Sequence, residues 1–415
     1  MGRTRLVDRL HQLYPHLTRQ SIENKINPDD LDEQPSKFSF FRAFVPYFYD
    51  LLRKEGILKG KKIAKKKFRC WCVGDPHLDN FGVLAQLRTG KKKQTFFTMN
   101  DPDDGGRGDP AADLLRFMTS IRLAKKKRIK HGKPIKKRLE QVMRLYRQGL
   151  ESDRWPTRRK GVLKLLKDRD VKKKTRNDIR DKMIEGCTPK TDFYEKRNGK
   201  KRLVSKDLHT SNYCIPQKIR KRLRDLLQQE YGQRYKKKLR DLIPYSKQNG
   251  GSGGLLQYRV LMKRKKNTKQ KWPKWLVLDI KPEMRPGLYA WYKTALQPRK
   301  STSMDPELIR KRTRKSLRIE RGNNSDYFTR SVVIDQMGPY LLRPRWQGQF
   351  NLSAREIKND VHLMHAEAWV LGRIHRKTIA KPKAYRKAIR SKRNKLLANS
   401  RTMSDLMKQK YGIVS

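Results

Sequence analysis

Two short segments carry the side chains that could do chemistry. Residues 74–82 read GDPHLDNFG, residues 100–104 read NDPDD, and each lies at the end of a strand-like run. Together they hold five of the 40 acidic residues in a chain that has 104 lysines and arginines. Carboxylates gathered in this way are typical of a site that binds a cation or transfers a proton.

The spacing inside these segments matches the catalytic loop of protein kinases, H-R-D-L-x-x-x-N. Asp75 and Asn80 are five positions apart, as the Asp and Asn of that loop are, and a second acidic segment follows after a hairpin. In kinases the first Asp accepts the proton of the substrate hydroxyl, and the Asn and the second Asp hold Mg²⁺ at the ATP phosphates. Asp75 is therefore the candidate catalytic base, and Asn80, Asp101 and Asp103 are the candidate metal ligands.

A glycine-rich segment and a lysine follow much later. Residues 249–254 read NGGSGG and precede strand-like runs at 255–262 and 275–281, the second of which ends in Lys281. A GGSGG string alone is equally typical of a flexible linker. The order of glycines, strand, turn, strand and lysine favours a phosphate cradle for ATP. The candidate nucleotide-binding residues are Gly251, Ser252, Gly253, Gly254 and Lys281.

The order of these motifs is reversed relative to a kinase, in which the glycine loop and the lysine precede the catalytic loop. We therefore expect a circularly permuted arrangement, in which the final helix leads back towards the start of the chain. An acidic partner for Lys281 is expected on a neighbouring helix, and Glu307 and Glu320 are both candidates.

Periodicity predicts the elements that position the acidic segments. Aromatic residues from Phe38 to Leu52 recur at helical spacing, with Pro46 as an interruption. Residues 68–73 alternate as a strand, and 81–87 and 95–99 read as a hairpin.

The rest of the chain is predicted to be largely helical before the glycine segment (249–254) and to contain both strands and helices after it. Residues 110–245 are rich in helix formers. Ser353 and Glu356 form a capping box ahead of an amphipathic helix that includes Leu371. The predicted segments are an N-terminal helical region (1–57), the catalytic and metal-binding loops on a hairpin (58–124), a helical lobe with basic insertions (125–248), a β-rich nucleotide-binding lobe (249–350) and C-terminal helices (351–415).

These motifs resemble known families. GDPHLDN is similar to the G-D-x-H-x-x-N loop of aminoglycoside phosphotransferases and related kinase-like enzymes. The order of motifs more closely resembles bacterial domain-of-unknown-function family 2252, and the resemblance spans most of the chain. It rests on FSFFRA (38–43), GDPHLDNFG (74–82), NDPDD (100–104), DLLRFMTS (113–120), the glycines near 251, Lys281 and YLLRPR (340–345).

The resemblance implies an α+β, two-lobed, protein-kinase-like fold, circularly permuted and with added helices. It also implies that Asp113 braces the catalytic loop and is not a reactant. The chain departs from the related patterns at two positions. Pro102 stands where the family usually has Phe, and Val73 stands where the phosphotransferases often have His.

Composition limits the partners. The formal net charge is +64, so anionic partners are expected, and nucleic acid or another polyanion is an alternative to a nucleotide. A composition bias of the source proteome would produce the same excess. No apolar run is long enough to span a membrane, and four cysteines do not form a disulfide framework. We expect a cytoplasmic protein with no membrane and no disulfide-linked partner.

Two functions follow. The first is an ATP- and magnesium-dependent phosphotransferase, an enzyme that acts on an unidentified hydroxyl acceptor. The second is a basic nucleic-acid-binding protein on a kinase-like scaffold, with weak or no catalysis.

Overall fold

The architecture is that of a computed structural model. It describes residues 2–15, 17–27, 36–59, 63–88, 91–99, 104–124, 135–152, 159–185, 194–204, 215–231, 235–246, 254–264, 275–282, 284, 287–290, 330–334, 338–344, 350–351 and 362–413. Its helices are α1 (Arg3–Leu13), α2 (Arg19–Ile26), α3 (Lys37–Ala43), α4 (Val45–Lys54), α5 (Pro110–Leu123), α6 (Ile135–Gly149), α7 (Arg159–Lys167), α8 (Lys173–Glu185), α9 (Gln217–Tyr231), α10 (Leu363–Arg376), α11 (Pro382–Ser391) and α12 (Arg393–Gly412). Its strands are β1 (Cys70–Cys72), β2 (Phe81–Arg88), β3 (Lys91–Met99), β4 (Gly106–Gly108), β5 (Tyr194–Arg197), β6 (Lys200–Leu203), β7 (Tyr235–Ser246), β8 (Leu256–Arg264), β9 (Trp275–Pro282), β10 (Arg330–Ile334), β11 (Gly338–Pro344) and β12 (Phe350–Asn351).

Side-chain caps and one proline define the N-terminal helices. Thr18 caps α2 by accepting a hydrogen bond from the Ser21 backbone N–H at 3.0 Å, and Ser36 forms a reciprocal capping box at α3. Helices α3 and α4 meet at Phe44, and Pro46 stands in the first turn of α4, where no helical hydrogen bond needs its missing N–H. The predicted interruption at Pro46 is confirmed.

Small antiparallel ladders frame the first acidic segment. β1 pairs with β4, β2 pairs with β3 to form the predicted hairpin, and β12 adds to β2. Because β1 ends at Cys72 and β2 begins at Phe81, residues 73–80 form a loop between two ladders. We call these residues the acidic loop.

Helix α10 is the buried centre of the helical part. Every residue from Leu363 to His375 is buried, so the predicted amphipathic helix is instead covered on all sides, by α6, α7, β1 and β3. Ser353 and Glu356, the predicted capping box, lie outside the described residues.

The prediction of helices over residues 110–245 holds for α5 to α9 but is wrong at three strands. β5 and β6 form a hairpin whose turn residues, Asn198 and Gly199, have positive φ values of 47° and 72°. β7 pairs with β8 and is an edge strand of the sheet as far as the structure describes it, a position where Pro244 is tolerated because a proline has no N–H to give to a second neighbour. The sheet therefore begins at Tyr235, before the predicted segment boundary at 249.

The larger sheet has five antiparallel strands in the order β10-β11-β9-β8-β7. Strand residues at alternate positions point to opposite faces. Leu276, Leu278 and Ile280 of β9 pack with Leu223 and Leu227 of α9 in one apolar cluster. The opposite face of β9 therefore carries Asp279 and Lys281.

The C-terminal helix lies against the first half of the chain. α12 packs on α5 and α3, and Arg122 of α5 donates a hydrogen bond to the Ser400 hydroxyl at 2.9 Å. The final helix thus returns to the start of the chain, as expected.

Mixed helices and small antiparallel sheets make this an α+β fold, as expected. The finer predictions, two kinase-like lobes and their circular permutation, stay predictions. Among the described residues, no helix has the length and apolarity that crossing a membrane would require.

Candidate functional site

Asp113 holds the start of the acidic loop. It lies in the first turn of α5 and is fully buried. Its Oδ2 accepts a hydrogen bond from the Val73 backbone N–H at 2.7 Å, and its Oδ1 accepts one from the Gly74 N–H at 3.2 Å. The Tyr49 hydroxyl lies 3.1 Å from Asp113 Oδ1 and 2.5 Å from the Gly74 carbonyl oxygen. This geometry supports the bracing role that the resemblance implies.

Gly74 is required where the acidic loop begins. Its φ is +82°, and a Cβ added there would lie 1.8 Å from the Asp104 carbonyl oxygen. Only glycine allows this conformation together with such a close backbone approach. Gly74 therefore lets the acidic loop touch the end of the second acidic segment.

Two buried side chains extend the Asp113 network into the helical core. His375 Nε2 lies 3.0 Å from Asp113 Oδ2, and its Nδ1 lies 2.6 Å from the Tyr146 hydroxyl. A carboxylate can only accept, so His375 Nε2 donates to Asp113. The bracing carboxylate is thus itself held by α10 and α6.

Asp75, the candidate base, is fixed from one side by Arg116 of α5. The Arg116 Nε and Nη2 atoms donate to the same oxygen, Asp75 Oδ1, at 2.8 Å and 2.5 Å. Arg116 is fully buried, and its guanidinium carbon lies 4.1 Å from the centre of the Phe41 ring and 5.1 Å from that of Phe48. The arginine is therefore rigid, and it leaves Asp75 Oδ2 as the oxygen that faces the rest of the site.

Burial by itself would raise the pKa of Asp75, but the positive charge of Arg116 and the hydrogen bond with His77 outweigh it, so the pKa lies below its ordinary value. His77 Nε2 lies 3.4 Å from Asp75 Oδ2. Its Nδ1 accepts from the Asp79 backbone N–H at 3.1 Å, so Nε2 carries the proton and faces Asp75. The Asp75 carboxylate is consequently ionised at neutral pH, the form that accepts a proton.

Asn80 belongs to the same loop. Its Nδ2 donates to the Asp75 carbonyl oxygen at 3.0 Å, and its backbone N–H donates to the His77 carbonyl oxygen at 2.9 Å. The structure therefore brings Asp75 and Asn80 together as the spacing predicts. Asp101 and Asp103, the other predicted metal ligands, lie outside the described residues, as do Pro102, Glu307 and Glu320.

Of the predicted nucleotide-binding residues, Gly254 and Lys281 are described, and Gly251, Ser252 and Gly253 are not. Gly254 lies just before β8 with a φ of +79°, and Lys281 lies on β9 beside Leu341 of β11. The glycine segment therefore connects β7 to β8, and the lysine lies on the next strand.

The part of this sheet face that lies nearest Lys281 is polar. On this face Arg259 Nε donates to Asp279 Oδ1 at 2.8 Å, and the Tyr245 hydroxyl donates to Gln257 Oε1 at 2.9 Å. All four side chains are buried. Further along the same face, Leu261 and Val277 pack with Leu203 of β6 in a small apolar cluster. The face is therefore polar towards Lys281 and covered by the β5–β6 hairpin at its other end.

Two buried residues of the N-terminal region respond to the charges of the acidic segments. Burial raises the pKa of Tyr14, and the negative charges of Asp104 and Asp75 add to the rise. Lys25 lies over the Tyr14 ring, 5.0 Å from its centre. Burial lowers the pKa of Lys25 to about 7, the charge of Asp104 opposes this effect, and the charge of Lys281 adds to it.

A direct contact joins the second acidic segment to the chain that follows β9. Asp104 Oδ1 accepts from the Gly287 backbone N–H at 2.7 Å, and a Cβ at Gly287 would lie 2.5 Å from Val45 of α4. Arg53 of α4 donates to the Ala290 carbonyl oxygen at 3.2 Å. The turn of residues 287–290 is thus docked between α4 and Asp104.

The sequence did not lead us to two buried ionisable side chains, Arg116 and Glu367. Arg116 lies 41 positions from Asp75, and its place in the DLLRFMTS motif (113–120) was the available signal. Glu367 of α10 is fully buried, and neither of its carboxylate oxygens has a hydrogen-bond partner among the described residues. Burial raises its pKa well above the ordinary value, and Asp79 adds to the rise. An acid within an otherwise apolar helical run, HAEAWVLG, was the available signal for Glu367.

One buried group has the composition of a metal site. The ligand atoms of Cys70, Cys72 and His375 lie within 4.8 Å of one another. Both ring nitrogens of His375 are already used by Asp113 and Tyr146, and burial raises the pKa of both thiols. These features favour a role of the two cysteines in core packing.

The comparisons with known proteins agree with the motif order. The family described as "Uncharacterized protein conserved in bacteria (DUF2252)" matches residues 34–411. No match was found among the curated proteins or among the solved structures. The matched range begins just before α3 and contains every predicted site residue. The chain therefore belongs to the DUF2252 family.

Proposed function

We propose that the protein is an ATP- and magnesium-dependent phosphotransferase. The observation that carries the proposal is the position of Asp104. Its carbonyl oxygen closely approaches Gly74, beside Asp75, and its Oδ1 accepts from the Gly287 backbone N–H at 2.7 Å. Gly287 follows Lys281 by six positions, so these contacts support a shared region for the candidate base and the candidate phosphate-binding lysine, although 206 positions (281 − 75) separate them in the sequence. A shared site is the arrangement that phosphoryl transfer requires, since catalysis depends on positioning and on neutralising phosphate charge.

The order of parts in the sheet supports the same proposal. In protein kinases a glycine-rich loop covers the phosphates and the lysine lies on the third strand. Here the glycine segment joins the first two strands of the sheet, β7 and β8, and Lys281 lies on the third, β9. The segment between β9 and β10 contains Glu307 and Glu320, where a kinase has the acidic partner of the lysine.

The residues divide into three roles. Asp75 Oδ2 accepts the proton of the acceptor hydroxyl, while Arg116 holds Oδ1 and keeps the carboxylate ionised. Lys281 and the backbone N–H groups of residues 251–254 bind phosphate oxygens. Asn80, Asp101 and Asp103 offer the amide and carboxylate oxygens that Mg²⁺ prefers, and the Asn80 Nδ2 bond to Asp75 orients that side chain. Mg²⁺, when bound, neutralises the charge that develops on the phosphates.

ATP turnover tests this function. We expect magnesium-dependent ATP hydrolysis or autophosphorylation by the purified protein, and a loss of at least about 100-fold in Asp75→Asn, the range expected of a general base. Asp101→Asn should abolish the magnesium dependence. Asp405→Asn, an exposed change on α12, is the matched control and should behave as the wild type. Equal activity in all four proteins would reject the proposal.

A second candidate, binding of nucleic acid or another polyanion, is favoured by one surface. Residues 377–404, which we call the basic stripe, contain no Asp or Glu and span α11 and the first half of α12. Their basic residues are Lys377, Lys381, Lys383, Arg386, Lys387, Arg390, Lys392, Arg393, Lys395 and Arg401. Most of these side chains are exposed, which is the footprint expected of a phosphate-backbone contact.

A further inference from the structure

The β5–β6 hairpin places like charges directly opposite one another. In its ladder Lys196 pairs with Lys201, and Arg197 pairs with Lys200. Like charges at directly opposite positions of an antiparallel pair are destabilising. From the start of β5 to the end of β6 the hairpin has five basic residues and a single acid, Glu195. It therefore concentrates positive charge at a cost in stability that an anionic partner would offset.

Two aromatic rings lie beside this charge. Tyr194 is the first residue of β5 and Trp275 the first of β9, and their ring centres are 6.2 Å apart. Both side chains are half-buried, and both pack on the apolar cluster of Leu203, Leu261 and Val277. The apolar contact holds the rings in place, and their exposed part offers a flat surface to a ligand.

Two lysines lie over these rings. Lys201 Nζ lies 4.4 Å from the centre of the Tyr194 ring and 5.4 Å from that of Trp275. Lys263 is opposite Trp275 in the β8–β9 ladder, and its Nζ lies 5.8 Å from the Trp275 ring centre. Aromatic faces beside ammonium groups match the two parts of a single strand of nucleic acid, because bases stack on the rings and phosphates meet the cations.

This surface lies apart from the proposed nucleotide site and from the basic stripe. Trp275 and Lys281 are six positions (281 − 275) apart on β9, which is roughly 20 Å at a rise of about 3.3 Å per residue. The basic stripe lies on α11 and α12, which contribute none of the residues named above. The surface is thus independent of the phosphotransferase function.

We propose that the β5–β6 hairpin and Trp275 form a binding surface for single-stranded nucleic acid. Tyr194 and Trp275 stack with bases, and the exposed cations of the hairpin contact the flanking phosphates. The ammonium group of Lys201 moves from the ring faces to a phosphate, which its flexible four-carbon stem permits. A duplex keeps its bases stacked on one another, so it meets the cations alone.

Oligonucleotide binding by variants tests the proposal. Fluorescence anisotropy gives the dissociation constants of dT and U oligonucleotides of about ten nucleotides, and of a duplex of the same length. Tyr194→Ala and Trp275→Ala should each weaken single-strand binding about tenfold or more and leave duplex binding unchanged. Tyr411→Ala removes a half-buried tyrosine of α12 and should match the wild type. The tighter of the dT and U complexes identifies DNA or RNA as the preferred ligand.

Three results of this experiment would overturn the proposal. The first is a wild type that binds no single strand. The second is equal single-strand binding by all four proteins. The third is an equal loss for single strands and duplex, since the two rings would then support only the fold of the hairpin.

A charge variant tests the phosphate contacts. Lys196→Gln with Lys200→Gln breaks both like-charged pairs, so the melting temperature should be no lower than that of the wild type. Loss of two contacts should reduce the salt dependence of single-strand binding by about 1.4 logarithmic units per logarithmic unit of salt. Lys218→Gln with Lys221→Gln removes the same charge from exposed positions of α9 and should leave it unchanged. Equal reductions would mean that binding follows net charge, against the proposal.

A further measurement uses the wild-type protein alone, in case the ring variants do not fold. Ultraviolet light crosslinks a bound U oligonucleotide to the side chains that it touches, and mass spectrometry locates the attached nucleotide. We expect attachment at Tyr194, at Trp275 or elsewhere in the β5–β6 hairpin. Attachment confined to the basic stripe would contradict the proposal.

Discussion

Asp113 accepts hydrogen bonds from two backbone N–H groups of the acidic loop, those of Val73 and Gly74. In Asp113→Asn an NH₂ group replaces one of the two accepting oxygens. This hydrogen-bond donor then faces other donors, namely the backbone N–H groups of Val73 and Gly74 or the ring N–H of His375. Breaking a buried charged network typically costs about 3–5 kcal/mol. We expect a loss of that order in the free energy of unfolding, measured by urea denaturation. Asp405→Asn, at an exposed ion pair, should change it by less than about 1 kcal/mol. A similar small change for Asp113→Asn would contradict the bracing role.

At the residue scale, the sequence predicts groups that act through local spacing. Asp75 and Asn80 belong to one loop, so their separation of five positions already places them together, and the structure keeps them so. Arg116 of α5 contacts the same loop directly, and His375 of α10 acts on it through Asp113. Their roles depend on how helices pack, and residue type alone does not reveal such a contact.

Helices α6 and α10 cross at two glycines, and the close contact of their backbones should be sensitive to a single methyl group. A Cβ at Gly372 would lie 2.0 Å from the Tyr146 carbonyl oxygen, and one at Gly149 would lie 2.0 Å from the Trp369 carbonyl oxygen. Gly372→Ala must separate the helices, and overpacking of this kind costs about 1–3 kcal/mol. Thermal unfolding of Gly412→Ala gives the control, because nothing lies within 4 Å of a Cβ there. Equal melting temperatures for the two variants would show that the helices do not meet as described.

The N-terminus of α5 should make the stability of the protein depend on pH. Asp109 caps α5 by accepting from the Ala111 N–H at 3.0 Å, yet burial raises its pKa to about 7, above the usual value of about 3.9. The folded protein therefore binds the proton more tightly than the unfolded chain, and stability falls as pH rises from about 4 to about 7.

Asp109→Asn keeps the capping oxygen and removes this titration. Relative to the wild type, the variant should gain stability progressively between pH 4 and pH 7, by about 1.4 kcal/mol for each unit of pKa shift. Unfolding by guanidinium chloride across this range measures the gain. Asp178→Asn, an exposed change on α8, should show no such trend, and a constant difference between Asp109→Asn and the wild type would refute the expectation.

At the element scale, errors of prediction have identifiable causes. The β2–β3 hairpin and the strands around residues 256 and 275 follow from alternation and turn residues. The helical prediction for 110–245 relied on helix formers, whose propensity is a weak prior that tertiary context overrides, and overlooked Asn198-Gly199, a strong signal for a hairpin turn. Helix α10 was expected to be amphipathic because its apolar residues recur at helical spacing, but β1 and β3 cover the face that would otherwise meet water.

At the scale of the whole molecule, the sequence did not predict that α2 packs against Gly254, just before β8. Leu17 and Ser21 are unremarkable in the sequence, and their contact with Gly254 depends on where α2 lies relative to the sheet. The net charge of +64 can be assigned to particular surfaces only in the folded chain. A few basic groups serve the proposed nucleotide site, whereas the basic stripe lies on α11 and α12.

The basic stripe makes a prediction about polyanions that is independent of catalysis. For duplex DNA, a plot of the logarithm of the binding constant against the logarithm of the salt concentration has a slope that should fall in magnitude by about 0.9 for each phosphate contact that is lost. We expect the substitution of Lys383, Lys387, Arg390 and Arg393 by Gln to lower this slope by roughly 3 to 4 units between 50 and 200 mM salt.

The control replaces Lys218, Arg220, Lys221 and Arg224 of α9, which are also exposed, and removes the same charge. If both sets reduce the slope equally, binding follows the net charge of the molecule and the stripe is not a binding surface. A loss confined to the stripe would assign the polyanion contact to α11 and α12.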